Sequence, residues 1–149
     1  MVMLSLGACG GNKYNVTVVE SGLMFKDYLK DGMISGVYDH SKGEWIIDET
    51  LPRSRTFIIK EQNEFEDIFC DVPSWIDFNK EMLLVYIFPS SYGRPCKFKS
   101  VKTDGEILEI YFTMGKSKSG YGDAGSPQRR IFAIKMKKLE IVAVEFNLV

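Results

Sequence analysis

The sequence predicts a mainly β protein of the α+β kind, an antiparallel β-sandwich or curled sheet of seven to eight strands with one short helix over 61–70. Three observations carry this. Apolar side chains recur with a two-residue period through most of the second half. One seven-residue run, Met82 to Phe88, is apolar throughout. A single segment, Glu61 to Cys70, keeps a helical period instead, with Phe65, Ile68 and Phe69 at i, i+3, i+4 and Glu64, Glu66 and Asp67 facing away.

The elements follow in order. Residues 14–20 are short and rich in β-branched side chains, a strand. Leu23 to Lys30 mixes Phe25, Tyr28 and Leu29 with charges and reads as a short helix or an irregular arm, ended by Asp31-Gly32. Met33–Tyr38 and Glu44–Ile47 pair as a hairpin across the polar turn Asp39 to Gly43. Thr56 to Ile59 is a strand, and Pro73 closes the helical region that follows it. Met82 to Phe88 has strand length and no polar face, so both faces must be covered, which makes it the central strand. Cys96–Lys102 places Cys96, Phe98 and Ser100 on one face against Lys97 and Lys99. Asp104-Gly105 turns the chain into Ile107–Thr113, whose Leu108, Ile110 and Phe112 share a face. After a long polar loop, 115–128, the strands Arg130–Met136 and Ile141–Leu148 are expected to close the domain as a second pair. The expected organisation is a signal or tether over 1–13 and one globular domain over 14–149.

Composition narrows the function. Apolar residues are 45% and charged residues 26%, a balance that folds without disulfide or metal at this length. The net charge of -1 supplies no long-range attraction for nucleic acid or anionic lipid. No apolar run approaches the 18 or so residues a spanning helix needs. The single histidine, His40, cannot build a two-histidine metal site, and it lies in the polar run Tyr38 to Gly43, a solvated turn. No metal or other cofactor is expected.

Catalytic and ligand motifs fail on context. Gly115-Lys116-Ser117 resembles the end of a phosphate loop, but Ile110 stands where its first glycine belongs, and the following Lys-Ser-Gly-Tyr-Gly cannot start a helix. Gly120 to Gly125 lacks the strand-turn-helix setting of a dinucleotide site. Asp123 alone is too little for Ca²⁺. No serine sits in Gly-x-Ser-x-Gly. Asn15-Val16-Thr17 fits a glycosylation acceptor, which carries meaning only in a eukaryotic secretory setting.

The first residues point outward from the cytoplasm. Leu6-Gly7-Ala8-Cys9 resembles a bacterial lipobox, an aliphatic residue and two small ones before cysteine, because a signal peptidase must admit an extended backbone. Lipid on Cys9 would anchor the chain through two or more acyl chains, with Gly10 to Lys13 as a tether. Only eight residues precede Cys9 and none is basic. The reading is therefore a truncated lipoprotein signal, the alternative an ordinary tail. In an exported protein Cys70 and Cys96 could pair as a disulfide; two separate buried thiols is the slightly favoured alternative.

With no reactive constellation, loop aromatics and cations remain: Tyr92 and Arg94 in Pro89 to Pro95, and Tyr121, Arg129 and Arg130 in or after the long loop. Tyr and Arg are the residue types that interfaces use. From Arg55 onward the order strand, helix with Glu64-Phe65, Val72-Pro73, Ile76-Asp77-Phe78, apolar strand, Gly-bearing loop, Asp-Gly hairpin and last strands resembles the C-terminal domain family named for PrcB, an accessory component of a secreted bacterial protease complex. It is also similar to uncharacterised Gram-positive lipoproteins. Where that family often has tandem glycines before an aromatic, this chain has Ser91-Tyr92-Gly93-Arg94. The resemblance implies a non-catalytic, cell-surface domain that binds or stabilises a protein partner; a monomer that meets the membrane only through its lipid is expected. The alternative expectation is a small secreted hydrolase or protease inhibitor.

Overall fold

A computed structural model describes residues 14–19, 22–26, 34–39, 43–90, 94–116 and 128–149. Its spine is β7 (Glu81–Ser90), the apolar run of the sequence. Alternate side chains of β7 enter two different cores. Met82, Leu84 and Phe88 join one cluster, and Leu83, Val85 and Ile87 join the other. β10 (Gln128–Lys137) repeats the division, with Phe132, Ile134 and Met136 on the first side and Ala133 on the second. These two strands lie side by side and antiparallel, flanked by β1 (Thr17–Val19) and β5 (Arg55–Ile59) in the order β1-β10-β7-β5.

One face of this sheet is covered by a second sheet of β8 (Cys96–Thr103), β9 (Ile107–Met114) and β11 (Ala143–Leu148), so the first core is a β-sandwich. Its centre is aromatic: Phe112 stacks on Phe132 at 4.9 Å, and Tyr86 on Phe146 at 5.1 Å. The other face carries α1 (Gln62–Ile68) and two small sheets. These are β2 (Met24–Phe25) with β6 (Phe69–Cys70), and β3 (Val37–Asp39) with β4 (Glu44–Ile46). Ile34, Val37, Phe65, Phe69 and Ile76 complete that second core.

The mainly β class, the central strand, the Val37–Ile46 hairpin and the Asp104 turn agree with the sequence. At the turn, Asp104 Oδ1 accepts from the backbone N–H of Glu106 (3.0 Å) and Ile107 (2.9 Å), and Gly105 takes φ +103°, a value that favours glycine. Four expectations are corrected. The described residues hold eleven strands, more than the seven or eight expected: the two-residue strands β2 and β6 fall in segments read as an arm and as the end of the helix. The helix ends at Ile68: Phe69 is extended (φ -116°, ψ 155°) and pairs with Phe25, whose ring stacks on it at 5.0 Å, so a tertiary aromatic contact replaces the last helical turn.

The third correction is the final pair. β10 already has β1 and β7 on its two edges, so β11 cannot join it. The chain instead crosses between the sheets, with Lys138 N–H bonded to Lys80 O and Val142 N–H to Glu106 O. It therefore enters the second sheet beside the start of β9 and must run parallel to it, Ala143 opposite Ile107. The fourth lies in β8. A register shift between Phe98 and Ser100 turns Ser100 outward and Val101, 5% exposed, into the core.

Candidate functional site

Four strand ends converge at one pole of the molecule. Gln128 at the start of β10 pairs with Ser90 at the end of β7, and Cys96 at the start of β8 pairs with Met114 at the end of β9. The segments 91–93 and 117–127 connect these ends. Tyr92, Tyr121 and Asp123 fall in them, and Cys9 and His40 elsewhere; all five lie outside the described residues.

Arg94, Gly115 and Arg130 tie the feet of the two segments together. Arg94 Nε donates to Gly115 O at 3.0 Å, and Gly115 N–H donates to Pro95 O at 2.9 Å. Arg130 Nη1 donates to Arg94 O, and its Nη2 reaches Cys96 Sγ at 3.5 Å. The contact is close enough that glycine is required at 115: a Cβ there would stand 2.8 Å from Pro95 Cγ. Bonds from a charged guanidinium to carbonyls are among the stronger of a protein's hydrogen bonds, so these arginines set the pole's geometry.

Strand alternation sends Arg129 to the opposite face of β10 from Arg130. Its guanidinium carbon sits 4.1 Å from the centre of the Phe25 ring, a cation–π contact. Burial lowers the Arg129 pKa, and the charge of Asp39 on β3 works against that shift. The same hairpin carries Tyr38 and Trp45, edge to face at 5.7 Å, with Trp45 still 48% exposed. The sequence reading grouped Arg129 with Arg130 as loop residues. Both are half-buried strand residues on different faces, one clamping the loop feet, the other stacked beside an aromatic hairpin.

Trp45, Phe25 and Asp39 were not singled out from sequence. The only signal for them was the unusual placing of a tryptophan in a short polar hairpin.

Cys70 and Cys96, the cysteines among the described residues, are free thiols, so the disulfide considered from sequence is not formed. They belong to different layers. Cys70 on β6 contacts Phe25 O at 3.8 Å, and Cys96 faces Arg130 across the sandwich. Burial raises the Cys96 pKa, with Arg130 and then Arg94 pulling the other way. At neutral pH Cys96 is thus a protonated thiol and a poor nucleophile.

The second sheet's outer face has a shallow depression of about 120 Å³ lined by Lys99, Ser100, Lys102, Tyr111 and Val149. There Tyr111 donates to Glu109 at 2.9 Å, which raises the tyrosine pKa, and Lys102 lies 5.4 Å over its ring. Among the described residues no three His, Cys, Asp or Glu side chains gather where they could hold a metal ion. No described helix is long and apolar enough to cross a membrane. No family model, curated protein or solved structure matches the chain.

Proposed function

We propose that the protein is a non-catalytic accessory domain, held outside the cytoplasm by lipid on Cys9, that binds or stabilises a protein partner through the pole where β7, β8, β9 and β10 end. The observation that carries this is the Arg94–Gly115–Arg130 clamp. Half-buried guanidiniums are used there to fix the feet of two segments that each contain a tyrosine, Tyr92 and Tyr121. A recognition surface needs this arrangement, because loops mounted on a rigid base lose less freedom on binding. The neighbouring Arg129–Phe25 stack and the exposed Trp45 add the residue types that dominate interface energetics.

The likeness to the PrcB C-terminal domain family supports the same reading and suggests a protease-complex accessory. A monomer suffices for it.

The tether supports it as well. β1 begins opposite Lys135, so a tether entering at residue 14 arrives toward the far end of β10 from Arg129. Six residues of strand separate those positions, about 20 Å. A lipid-anchored molecule would then hold the clamped pole away from the bilayer.

The test compares partners captured by the wild-type chain and by Tyr92→Ala/Arg94→Ala. Specific partners should be lost from the double variant, and identical partner sets would refute the assignment of this pole. Mass spectrometry of the protein from its host should find diacylglycerol on Cys9; an unlipidated cytoplasmic chain starting at Met1 would refute the anchor.

A further inference from the structure

The outer face of the second sheet gathers lysine on one strand. β8 carries Lys97, Lys99 and Lys102, all exposed, and no acidic residue. Strict alternation would send Ser100 and Lys102 to the core side with Cys96 and Phe98. The register shift between Phe98 and Ser100 reverses this. It buries Val101 and in the same step brings Ser100 and Lys102 outward, where they join Lys99 around the shallow depression of about 120 Å³. Tyr111 and Val149 complete the lining.

Pairing across the sheet leaves these lysines uncompensated. Register places Lys102 opposite Glu109. Glu109 instead accepts from the Tyr111 hydroxyl at 2.9 Å, and Lys102 Nζ lies 5.4 Å from the centre of the Tyr111 ring. Among the described residues no carboxylate stands within ion-pair distance of Lys99 or Lys102. We propose that this depression binds a phosphate-type oxyanion, held by the ammoniums of Lys99 and Lys102 and by the Ser100 hydroxyl. Lysine is a compact point charge with three rotatable donors, which suits a tetrahedral anion. Arginine, whose planar fork matches a carboxylate, is absent from β8, β9 and β11. The depression is open, so a group attached to the phosphate extends into solvent. The ligand class is therefore a phosphomonoester, free or as a lipid headgroup. The site shares no residue with the clamp and does not depend on the partner reading.

The test titrates inorganic phosphate into the isotope-labelled full chain at constant ionic strength, read by amide NMR. The amides of Lys99, Ser100 and Tyr111 should shift and saturate. Lys99→Gln/Lys102→Gln should weaken binding about five- to tenfold, the scale of two exposed charge contacts, and thermal melting verifies that it folds. Lys80→Gln/Lys137→Gln removes equal charge elsewhere and should leave binding unchanged. Glu109→Gln should tighten it, because a neighbouring negative charge is gone.

Shifts that do not saturate, equal loss in both lysine variants, or acetate bound as tightly as phosphate would overturn the proposal. Two further arms separate the sources. Lysine-dependent binding of phenyl phosphate, without capture by phosphatidic acid vesicles, assigns a soluble phosphomonoester. Lysine-dependent capture by phosphatidylcholine vesicles containing phosphatidic acid, absent with phosphatidylcholine alone, assigns a lipid headgroup.

Discussion

Replacing Arg130 with methionine isolates what the clamp contributes. Methionine keeps an unbranched apolar stem against Cys96 and leaves β10 paired, while the guanidinium is removed. The main loss is the bond to Arg94 O; the contact with Cys96 Sγ at 3.5 Å is weak. A hydrogen bond from a charged donor contributes about 1.5–3 kcal/mol when buried. Arg130 is half-buried, so water replaces part of it, and the expected cost is about 1–2 kcal/mol. For a domain of this size that corresponds to a Tm lower by about 3–6 °C. Urea unfolding gives the global value. Amide hydrogen exchange gives the local one: Gly115 N–H, bonded to Pro95 O, should lose protection, while Val144 in β11 should keep it. The pH midpoint for Cys96 alkylation should also rise, because a cation that favours its thiolate is gone. A loss under about 0.5 kcal/mol, the range of an ordinary surface change, with Gly115 protection intact, would refute the clamp.

Further outcomes test other parts of the structure. Gly115→Ala should cost about 1–3 kcal/mol in denaturant unfolding as its Cβ pushes on Pro95, and a neutral result would mean that the loop feet are not in close contact. Phe65→Ala, which empties the space against the rings of Phe69 and Phe78, should cost about 3–5 kcal/mol. Glu64→Ala, which removes the acceptor for Lys60 and Glu61 N–H, should cost about 1 kcal/mol. The same unfolding experiment would show whether that order is reversed.

Asp104 has its carboxyl held below the ordinary carboxylate range by the N–H groups of Ile107 and Glu106. Its folded pKa is depressed, so its stabilisation is present above the unfolded pKa of about 3.9 and is lost as pH falls through the folded value. The stability gap between wild type and Asp104→Asn should accordingly be constant at neutral pH and close on acidification, measured by urea unfolding across pH. A gap that widens in acid would contradict the turn geometry.

Period and turn chemistry were enough to recognise β5, β7, β8 and β9, the Asp104 turn and the β class, because those signals are local. Met82 to Phe88 even announced its two covered faces, since a strand with no polar side has no face to give to water. The helix was legible in Phe65 and Glu64 but not in its end, where Phe69 still donates its N–H to Phe65 O but turns extended to pair with and stack on Phe25, distant in sequence.

The amino-acid sequence by itself determined the longer strands and that two apolar faces had to be buried. Tertiary structure alone decided the rest: β11 runs parallel beside β9 because both edges of β10 were taken. It also decided that Arg94 and Arg130, thirty-six positions apart, meet while neighbouring Arg129 and Arg130 part. The physical reason is that alternation along a strand is a property of adjacent residues, whereas pairing depends on which edges remain open once the rest of the chain has folded.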